Sequence, residues 1–286
     1  MPELPQPYQG LAILTDLDGT LLMPDKTVSE EDAAAIADFR AKGGRFSIAT
    51  GRGVQAAMPF LDLFQPDFLS VLYNGAMVYN YGKRCVAGTS RLPEGSTAIL
   101  RELTERFPQI GAEVLREEGV YVLQLNDYER QHLEITHIPI VMRTLEEANP
   151  ETCLKALFAG APEDISAMQE YVKDARFSAV NFTRSHRWFL EILPHGVSKG
   201  SALTEIRAEL PAKTVIAAAG DFDNDAAMLS GGGFCRLSRG FSADRAGYRA
   251  RTRPYFRENL RKRVLCRFYS RIYKTLFLNP GSGVTR

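Results

Sequence analysis

The chain has 286 residues, of which 45% are hydrophobic and 24% are charged, and its formal net charge is +1. This composition is typical of a globular protein of about two domains, and it argues against a disordered or fibrous chain. The small net charge gives no reason to expect a strongly acidic or basic partner for the whole molecule.

Targeting signals and cysteine patterns point to a reducing compartment. The N-terminal residues contain no apolar segment of the kind found in secretory signals, and no run of about 18 apolar residues occurs. The four cysteines are too far apart in sequence for a metal knuckle or a C-x-x-C pair; they are Cys85, Cys153, Cys235 and Cys266. We therefore expect reduced thiols, no transmembrane segment and a cytoplasmic location.

The first part of the chain alternates between short apolar runs and helical segments. Apolar runs at residues 11–14, 46–49 and 69–73 predict buried strands. Ser29 is a candidate N-cap for a helix that ends at Gly43-Gly44, and a second helix is predicted over 54–64. Strands that alternate with helices through short connections are typical of a parallel α/β sheet.

The pattern changes after about residue 83. Longer, more alternating strands at 120–125 and 188–193, with a helix near 163–173, indicate an α+β insert. The alternation of helices and strands resumes with a helix predicted over 199–210 and a strand over 214–219. The sequence thus predicts a doubly wound, Rossmann-like parallel core formed by residues 1–83 and 189–286, and an inserted cap domain at 84–188.

Polar side chains follow three of the predicted core strands, at the point where each strand ends. These residues are Asp16 and Asp18, Thr50 and Arg52, and Asp221 and Asp225. Because the carboxyl ends of parallel strands lie on one edge of an open sheet, we expect these loops to converge. Crowded carboxylates raise one another's pKa values unless a cation neutralises them. Mg²⁺ is the usual hard cation beside phosphate, so the pattern predicts a magnesium site.

Two further groups suit a bound phosphate at this edge. Lys199, at the start of the predicted helix that precedes the Asp221 strand, could hold a carboxylate and a phosphoryl oxygen together as a point charge. Thr50 could donate its hydroxyl, and backbone N–H groups near Gly51 could donate to the same phosphate.

Four motifs together resemble those of the haloacid dehalogenase superfamily. They are Asp16-Leu-Asp-Gly-Thr20, Ala49-Thr-Gly-Arg52, Lys199 and Gly220-Asp-Phe-Asp-Asn-Asp225. The segments Tyr73-Asn-Gly-Ala76 and 190–199 are similar to sequences that flank the cap in the Cof-like, type IIB branch. The resemblance covers residues 11–238, and it implies an enzyme that hydrolyses phosphate esters with magnesium.

The resemblance also implies a role for each matching residue. Asp16 would attack phosphorus, and Asp18 would protonate the leaving oxygen and then activate the water that hydrolyses the intermediate. Thr50 and Lys199 would hold the phosphoryl oxygens. The implied magnesium ligands are the Asp16 side chain, the Asp18 backbone carbonyl, Asp221 and Asp225, the last bound directly or through water.

Other residues near the motifs are candidates for binding the phosphate or the substrate. They are Leu17, Gly51, Arg52, Asn74, Gly75 and Asn224, the last of which would also support the Asp221 loop. Arg52 could instead form a structural ion pair, and Asn74-Gly75 could instead be a hairpin turn. Trp188 is expected to pack inside the cap, and the four histidines show no metal-ligand spacing.

The C-terminal segment departs from the superfamily pattern. Residues 236–286 carry fourteen basic and two acidic residues, which leaves a balance of −11 for the rest of the chain. Apolar residues recur at helical spacing from Leu260 to Leu276, with arginines between them, and predict a basic amphipathic helix. We expect this helix to pack on the core; the alternative is a surface for anionic lipid or nucleic acid.

The leading hypothesis is therefore a magnesium-dependent phosphatase that acts on small phosphorylated metabolites, such as sugar or cofactor phosphates. One alternative is a phosphomutase, which passes the phosphoryl group to a sugar hydroxyl. Another is a regulatory binding protein that acts through its basic C-terminal helix.

Overall fold

The computed structural model describes residues 6–231 in full and the backbone of the strand at 234–237. Within these residues the strands are β1 (Leu11–Thr15), β2 (Arg45–Ile48), β3 (Ser70–Leu72), β4 (Met77–Asn80), β5 (Cys85–Thr89), β6 (Gly111–Leu115), β7 (Val120–Gln124), β8 (Lys155–Ala159), β9 (Val180–His186), β10 (Phe189–Pro194), β11 (Val215–Gly220) and β12 (Phe234–Leu237). The α-helices are α1 (Glu30–Ala41), α2 (Val54–Phe64), α3 (Ser96–Arg106), α4 (Asp127–Thr136), α5 (Leu145–Ala148), α6 (Pro162–Tyr171), α7 (Leu203–Glu209) and α8 (Ala226–Gly231).

A parallel sheet with the order β12-β11-β1-β2 forms the centre of the core. Thr15, the last residue of β1, lies opposite both Ile48 and Ala219, so three strands end side by side. A parallel bridge from Ala49 to Val71 extends this order to β3, which continues as the antiparallel sheet β3-β4-β5. The polar loops that follow β1, β2 and β11 therefore share one edge of the sheet.

Helices cover both faces of the core sheet. Successive residues of β1 point to opposite faces, so their neighbours show what covers each face. Ile13 belongs to a hydrophobic cluster with Phe39 of α1 and Leu61 of α2. Its neighbour Leu14 belongs to a second cluster with Ile206 of α7 and further residues of α8. This two-sided burial confirms the predicted doubly wound, Rossmann-like core.

A second, antiparallel sheet with the order β7-β6-β8-β10-β9 forms the cap. Helices α3 and α6 bury one face of this sheet, around Phe158 and Met168. The other face carries Leu157 and Leu193, which belong to the same hydrophobic cluster as core residues such as Tyr73. The cap thus packs directly against the core at the edge where the polar loops lie.

Strand pairing favours domain limits that differ from the predicted 84–188. Strand β5 pairs with β4 of the core, and the Ser90 backbone N–H donates to the Ala76 carbonyl. Strand β10 pairs with β8 and β9 of the cap. We therefore propose residues 91–194 as the cap. The proposed limits differ from the predicted ones because β5 and β10 lie next to the two places where the chain passes between core and cap. Composition alone does not identify the partner strand there.

Local predictions agree with the structure except near Lys199. Helix α2 has the predicted bounds, and the Ser29 side chain accepts from the Asp32 backbone N–H at the start of α1, as an N-cap does. The helix predicted to begin at Lys199 is wrong: α7 begins at Leu203, and residues 199–202 form turns. The basic helix predicted at 260–276 lies outside the described residues. No helix of the described part is both long and apolar enough to cross a membrane.

Candidate active site

Three aspartates meet at the shared edge of the core sheet. Asp16 follows β1, and Asp221 and Asp225 follow β11. Each offers a carboxylate oxygen, and these oxygens all lie within 4.8 Å of one another. Asp16 is 5% exposed and Asp225 is fully buried, so solvent screens their mutual repulsion only weakly.

Lys199 is the cation that counters part of this repulsion. Its Nζ donates to Asp16 Oδ1 at 2.6 Å and to Asp225 Oδ1 at 2.7 Å, and the side chain is completely buried. Burial alone would lower the pKa of Lys199, but the two carboxylates outweigh it and hold that pKa above the ordinary value. The lysine therefore remains charged and links residues that are far apart in sequence.

Two of the aspartates retain unfavourable electrostatics in spite of Lys199. Burial raises the pKa of Asp16 well above its usual value, opposed by Lys199. Burial and the charge of Asp225 raise the pKa of Asp221 to about 6. Three carboxylates and one ammonium leave an excess of about two negative charges, which a divalent cation would neutralise.

The donor set therefore fits a hard divalent ion. All three side chains offer oxygen, and Asn224 next to Asp225 has a buried Oδ1 without a hydrogen-bond partner among the described residues. Glycine at position 19 keeps the space beside Asp221 open, since a Cβ there would lie 2.3 Å from Asp221 Oδ2. Residue 19 also has φ +83°, a conformation that favours glycine.

Asp18 lies at the same edge, but its side chain pairs with cations instead of joining the three-aspartate cluster. Arg52 donates from Nε to Oδ2 at 2.6 Å and from Nη2 to Oδ1 at 2.8 Å. Lys26 Nζ donates to Oδ1 at 2.8 Å. Burial would raise the pKa of Asp18, but the bonds and charges of Arg52 and Lys26 dominate and hold it well below its usual range.

The loop after β2 holds Thr50 and Gly51 beside these groups. Thr50 is 1% exposed, and its Oγ1 accepts from the Arg52 backbone N–H at 3.1 Å, while the hydroxyl keeps its own proton to donate. The Gly51 carbonyl accepts from Lys155 Nζ of the cap at 2.9 Å. A cap residue therefore bonds directly to the loop that carries the predicted phosphate-binding threonine.

Asn74 is at the centre of a buried network between cap and core. Its Nδ2 donates to Glu191 Oε2 at 2.9 Å, and its Oδ1 accepts from Asn224 Nδ2 at 3.0 Å. Glu191 also pairs with Lys155, and both side chains are only 2% exposed. The side-chain amide of Asn74 is thus engaged by protein groups, although the Asn74-Gly75 pair also forms the turn between β3 and β4.

Two of the predicted phosphate-binding residues have evident structural contacts. The Leu17 side chain is fully buried in the core, and its carbonyl accepts from the backbone N–H groups of Leu21 and Leu22. Gly75 has φ +104°, and a Cβ there would lie 2.2 Å from the Ser198 carbonyl oxygen. A side chain at position 75 would therefore displace the backbone that leads into Lys199.

Sequence reasoning missed Lys26, Lys155 and Glu191. A signal existed for the last two, because each is a charged residue within a strongly apolar strand, and such residues are rarely buried unless paired. Lys26 offered no comparable signal. It occupies a short hairpin with φ +63°, and its role depends on the fold of that hairpin back toward Asp18.

Comparison with known proteins agrees with this geometry. Residues 13–235 match the family model described as haloacid dehalogenase-like hydrolase. The chain is 27% identical over 243 residues to 5-amino-6-(5-phospho-D-ribitylamino)uracil phosphatase YitU of Bacillus subtilis, covering 81% of this chain and 87% of that protein. It is 26% identical over 235 residues to pyridoxal phosphate phosphatase YbhA of Escherichia coli, covering 77% and 85%.

Solved structures give the same assignment at the level of the fold. The subclass IIB sugar phosphatase BT4131 superposes with a TM-score of 0.66 at 20% identity, covering 79% of this chain and 86% of that one. Because the match covers 79% of this chain, it includes the inserted cap sheet as well as the core. The chain belongs to the Cof-like haloacid dehalogenase-like hydrolases and is a phosphohydrolase.

Proposed function

We propose that this protein hydrolyses phosphate monoesters of small metabolites with Mg²⁺, through a phosphorylated Asp16. The observation that carries the proposal is the approach of Asp16, Asp221 and Asp225 at one sheet edge, with buried Lys199 between two of them. This arrangement supports both a nucleophile and a cation site within reach of one phosphoryl group.

Asp16 performs the covalent step. One of its carboxylate oxygens forms a bond to phosphorus while the bond from phosphorus to the alcohol oxygen breaks. Lys199 donates to Oδ1 and fixes the orientation of the carboxylate. Asp16, Asp221, Asp225 and the Asp18 backbone carbonyl would hold a divalent cation, which would supply positive charge next to the phosphoryl oxygens.

Asp18 moves the protons. In the described arrangement it is a carboxylate paired with Arg52 and Lys26, which suits the second step, in which it accepts a proton from the attacking water. To protonate a leaving alcohol in the first step, Asp18 has to separate from these cations. An incoming phosphate offers Arg52 and Lys26 an alternative anion, and this exchange would release Asp18 toward the leaving oxygen.

The remaining groups bind and shield the phosphate. Thr50 donates its hydroxyl, and the loop at Gly51 and the turn at Leu17 offer backbone N–H groups. Lys199 stabilises the charge that shifts onto the phosphoryl oxygens. The cap covers the site and limits the access of bulk water, while Asn74, Gly75 and Asn224 hold the surrounding loops.

The names of relatives support small phosphorylated metabolites as substrates. YitU and YbhA are named as phosphatases of a ribitylaminouracil phosphate and of pyridoxal phosphate, and the solved relative BT4131 as a sugar phosphatase. All three names support water as the phosphoryl acceptor over a sugar hydroxyl. Cys85 and Cys153, the free cysteines of the described part, agree with a reducing location such as the cytoplasm.

Hydrolysis of p-nitrophenyl phosphate by the full-length chain tests the proposal. We expect turnover with Mg²⁺, loss of turnover with EDTA, and recovery when Mg²⁺ is restored in excess. Asp16→Asn should abolish turnover with the fold intact. Asp38→Asn is the matched control, because Asp38 lies on the surface and pairs only with Lys42 in the described contacts. Equal rates for Asp16→Asn and Asp38→Asn would contradict the proposal.

A further inference from the structure

A group of aromatic side chains extends from the cap to the core loop that follows β11. Neighbouring ring centroids lie 4.9–6.4 Å apart, and every member is partly exposed. The members are Tyr128 and His132 of α4, His186 of β9, Trp188, Phe189 of β10 and Phe222 of the core. We call this group the aromatic wall.

The aromatic wall begins beside the three-aspartate cluster. Phe222 directly follows Asp221, and its backbone N–H donates to Asp225 Oδ2 at 3.2 Å. Strand β9 of the cap packs against the turn at 223–225, which brings His186 to Phe222. A leaving group that projects from a phosphate at Asp16 toward the cap would therefore pass near these two rings.

His186 is half-buried beside charged groups of the cap and the core. Burial and the charges of Arg187 and Lys26 lower the pKa of His186, and the charge of Asp18 opposes this shift. Its Nδ1 accepts from the Trp188 backbone N–H at 3.4 Å, and the Trp188 ring supports it at 4.9 Å. These two contacts fix the orientation of the His186 ring.

The two leading rings already stack on each other. The His186 and Phe222 centroids are 6.4 Å apart and the planes are inclined by 30°. A third ring stacked between two others requires about 7 Å between their planes, since carbon atoms in contact lie about 3.5 Å apart. A ring that stacks between His186 and Phe222 therefore needs the cap to move away from the core.

We propose that the leaving group of the preferred substrate carries a planar heteroaromatic ring, which stacks between His186 and Phe222 while its phosphate lies at Asp16. This inference rests on the proposed phosphatase function and specifies its substrate class. The alternative, a linear polyol, has no planar face to stack on the rings, so its recognition depends on hydrogen-bonding groups around its hydroxyls. In the described contacts Arg52 and Lys26 are engaged with Asp18, and Arg187 lies over the Trp188 ring.

A comparison of two substrates tests the proposal by kinetics. Pyridoxine 5′-phosphate carries a planar ring and lacks the aldehyde that would react with lysines; glycerol 3-phosphate carries no ring. We expect the wild-type chain to prefer pyridoxine 5′-phosphate in kcat/KM. His186→Leu combined with Phe222→Leu should lower the ratio of the two kcat/KM values by about tenfold, since each aromatic pair contributes a factor of about three or more.

Phe182→Leu is the matched control for the kinetic test. Phe182 belongs to the same strand as His186, but it packs on the opposite face of the cap sheet with Phe177. We expect Phe182→Leu to leave the ratio within about twofold of wild type. An equal ratio in wild type, the double variant and the control would overturn the inference while leaving the phosphatase function intact. Loss of both activities in wild type would instead contradict the proposed function.

Binding can be followed without turnover, because Trp188 is the single tryptophan of the chain. In Asp16→Asn protein with Mg²⁺, pyridoxine 5′-phosphate should quench Trp188 fluorescence in a saturable manner, and glycerol 3-phosphate should not. Adding His186→Leu and Phe222→Leu should raise the half-saturating concentration of pyridoxine 5′-phosphate by about tenfold. Absence of quenching, or quenching that the two leucines do not change, would refute a ring site between His186 and Phe222 whatever the enzyme's activity.

Discussion

The buried pair of Lys155 and Glu191 permits a quantitative prediction about stability. Both side chains are 2% exposed, and removal of either partner leaves the other charge in a site that excludes water. Such a loss typically costs about 3–5 kcal/mol. We therefore expect Lys155→Met and Glu191→Leu each to lower the free energy of unfolding by about 4 kcal/mol, which is a large fraction of the roughly 5–15 kcal/mol that stabilises a protein.

The double variant should behave differently from the sum of the single variants. With both charges removed, the remaining cost is the loss of hydrogen bonds to the Gly51 carbonyl and from the Asn74 amide. Unpaired buried groups of this kind cost about 1–3 kcal/mol each. The double variant should therefore lose about 2–6 kcal/mol, whereas independent effects would add to about 8 kcal/mol.

Urea unfolding at pH 7, followed by far-UV circular dichroism, measures these differences. The surface pair of Lys173 and Glu170, whose side chains are 64% and 70% exposed, provides a matched control cycle. Its single variants should each cost less than about 1 kcal/mol. The reasoning is refuted if the Lys155→Met/Glu191→Leu protein loses as much free energy of unfolding as the two single variants added together. Such a loss would show that the two charges do not compensate each other.

Two further predictions concern the cation site. Gly19→Ala should raise the Mg²⁺ concentration for half-maximal activity more than about tenfold, because the alanine Cβ would lie 2.3 Å from Asp221 Oδ2. The control is Gly95→Ala, which has a similar φ of +87° and open space around it, and it should leave that concentration unchanged. In the absence of Mg²⁺, Asp221, with its pKa raised to about 6, should reduce stability as the pH rises from about 4 to 7, by at most about 3 kcal/mol. Mg²⁺ should therefore raise the melting temperature more at pH 7 than at pH 5, and Asp221→Asn should remove most of that difference; an equal gain at both pH values in wild type would contradict the assignment.

The core could be predicted from sequence because its signals are local and repeated. Short apolar runs followed by Asp or Thr predicted the core strands, and parallel pairing then required the polar loops to share an edge. The N-cap at Ser29 and the helix over 54–64 follow from side-chain chemistry within a few residues. The four motifs added the roles of Asp16, Asp18 and Lys199, which no local pattern gives.

The cap contacts could not be predicted in the same way. Lys155 reaches Gly51 and Glu191 reaches Asn74 only because the cap sheet packs on the core in one register, and this register depends on long-range packing. The start of α7 was misplaced for a similar reason. Lys199 is drawn into the site by Asp16 and Asp225, and Gly200 packs so closely on Ala227 that the chain turns before the helix begins.

A search for a covalent phosphoryl group on Asp16 tests the central claim most directly. Asp18→Asn removes the group that activates water, but p-nitrophenolate leaves without protonation, so the first step should proceed and the second should stall. After an acid quench, mass spectrometry of the Asp18→Asn protein incubated with Mg²⁺ and p-nitrophenyl phosphate should find one phosphoryl group on the peptide that contains Asp16. Rapid hydrolysis by the wild-type chain, with no phosphorylated Asp16 in either protein at any time point, would contradict the account.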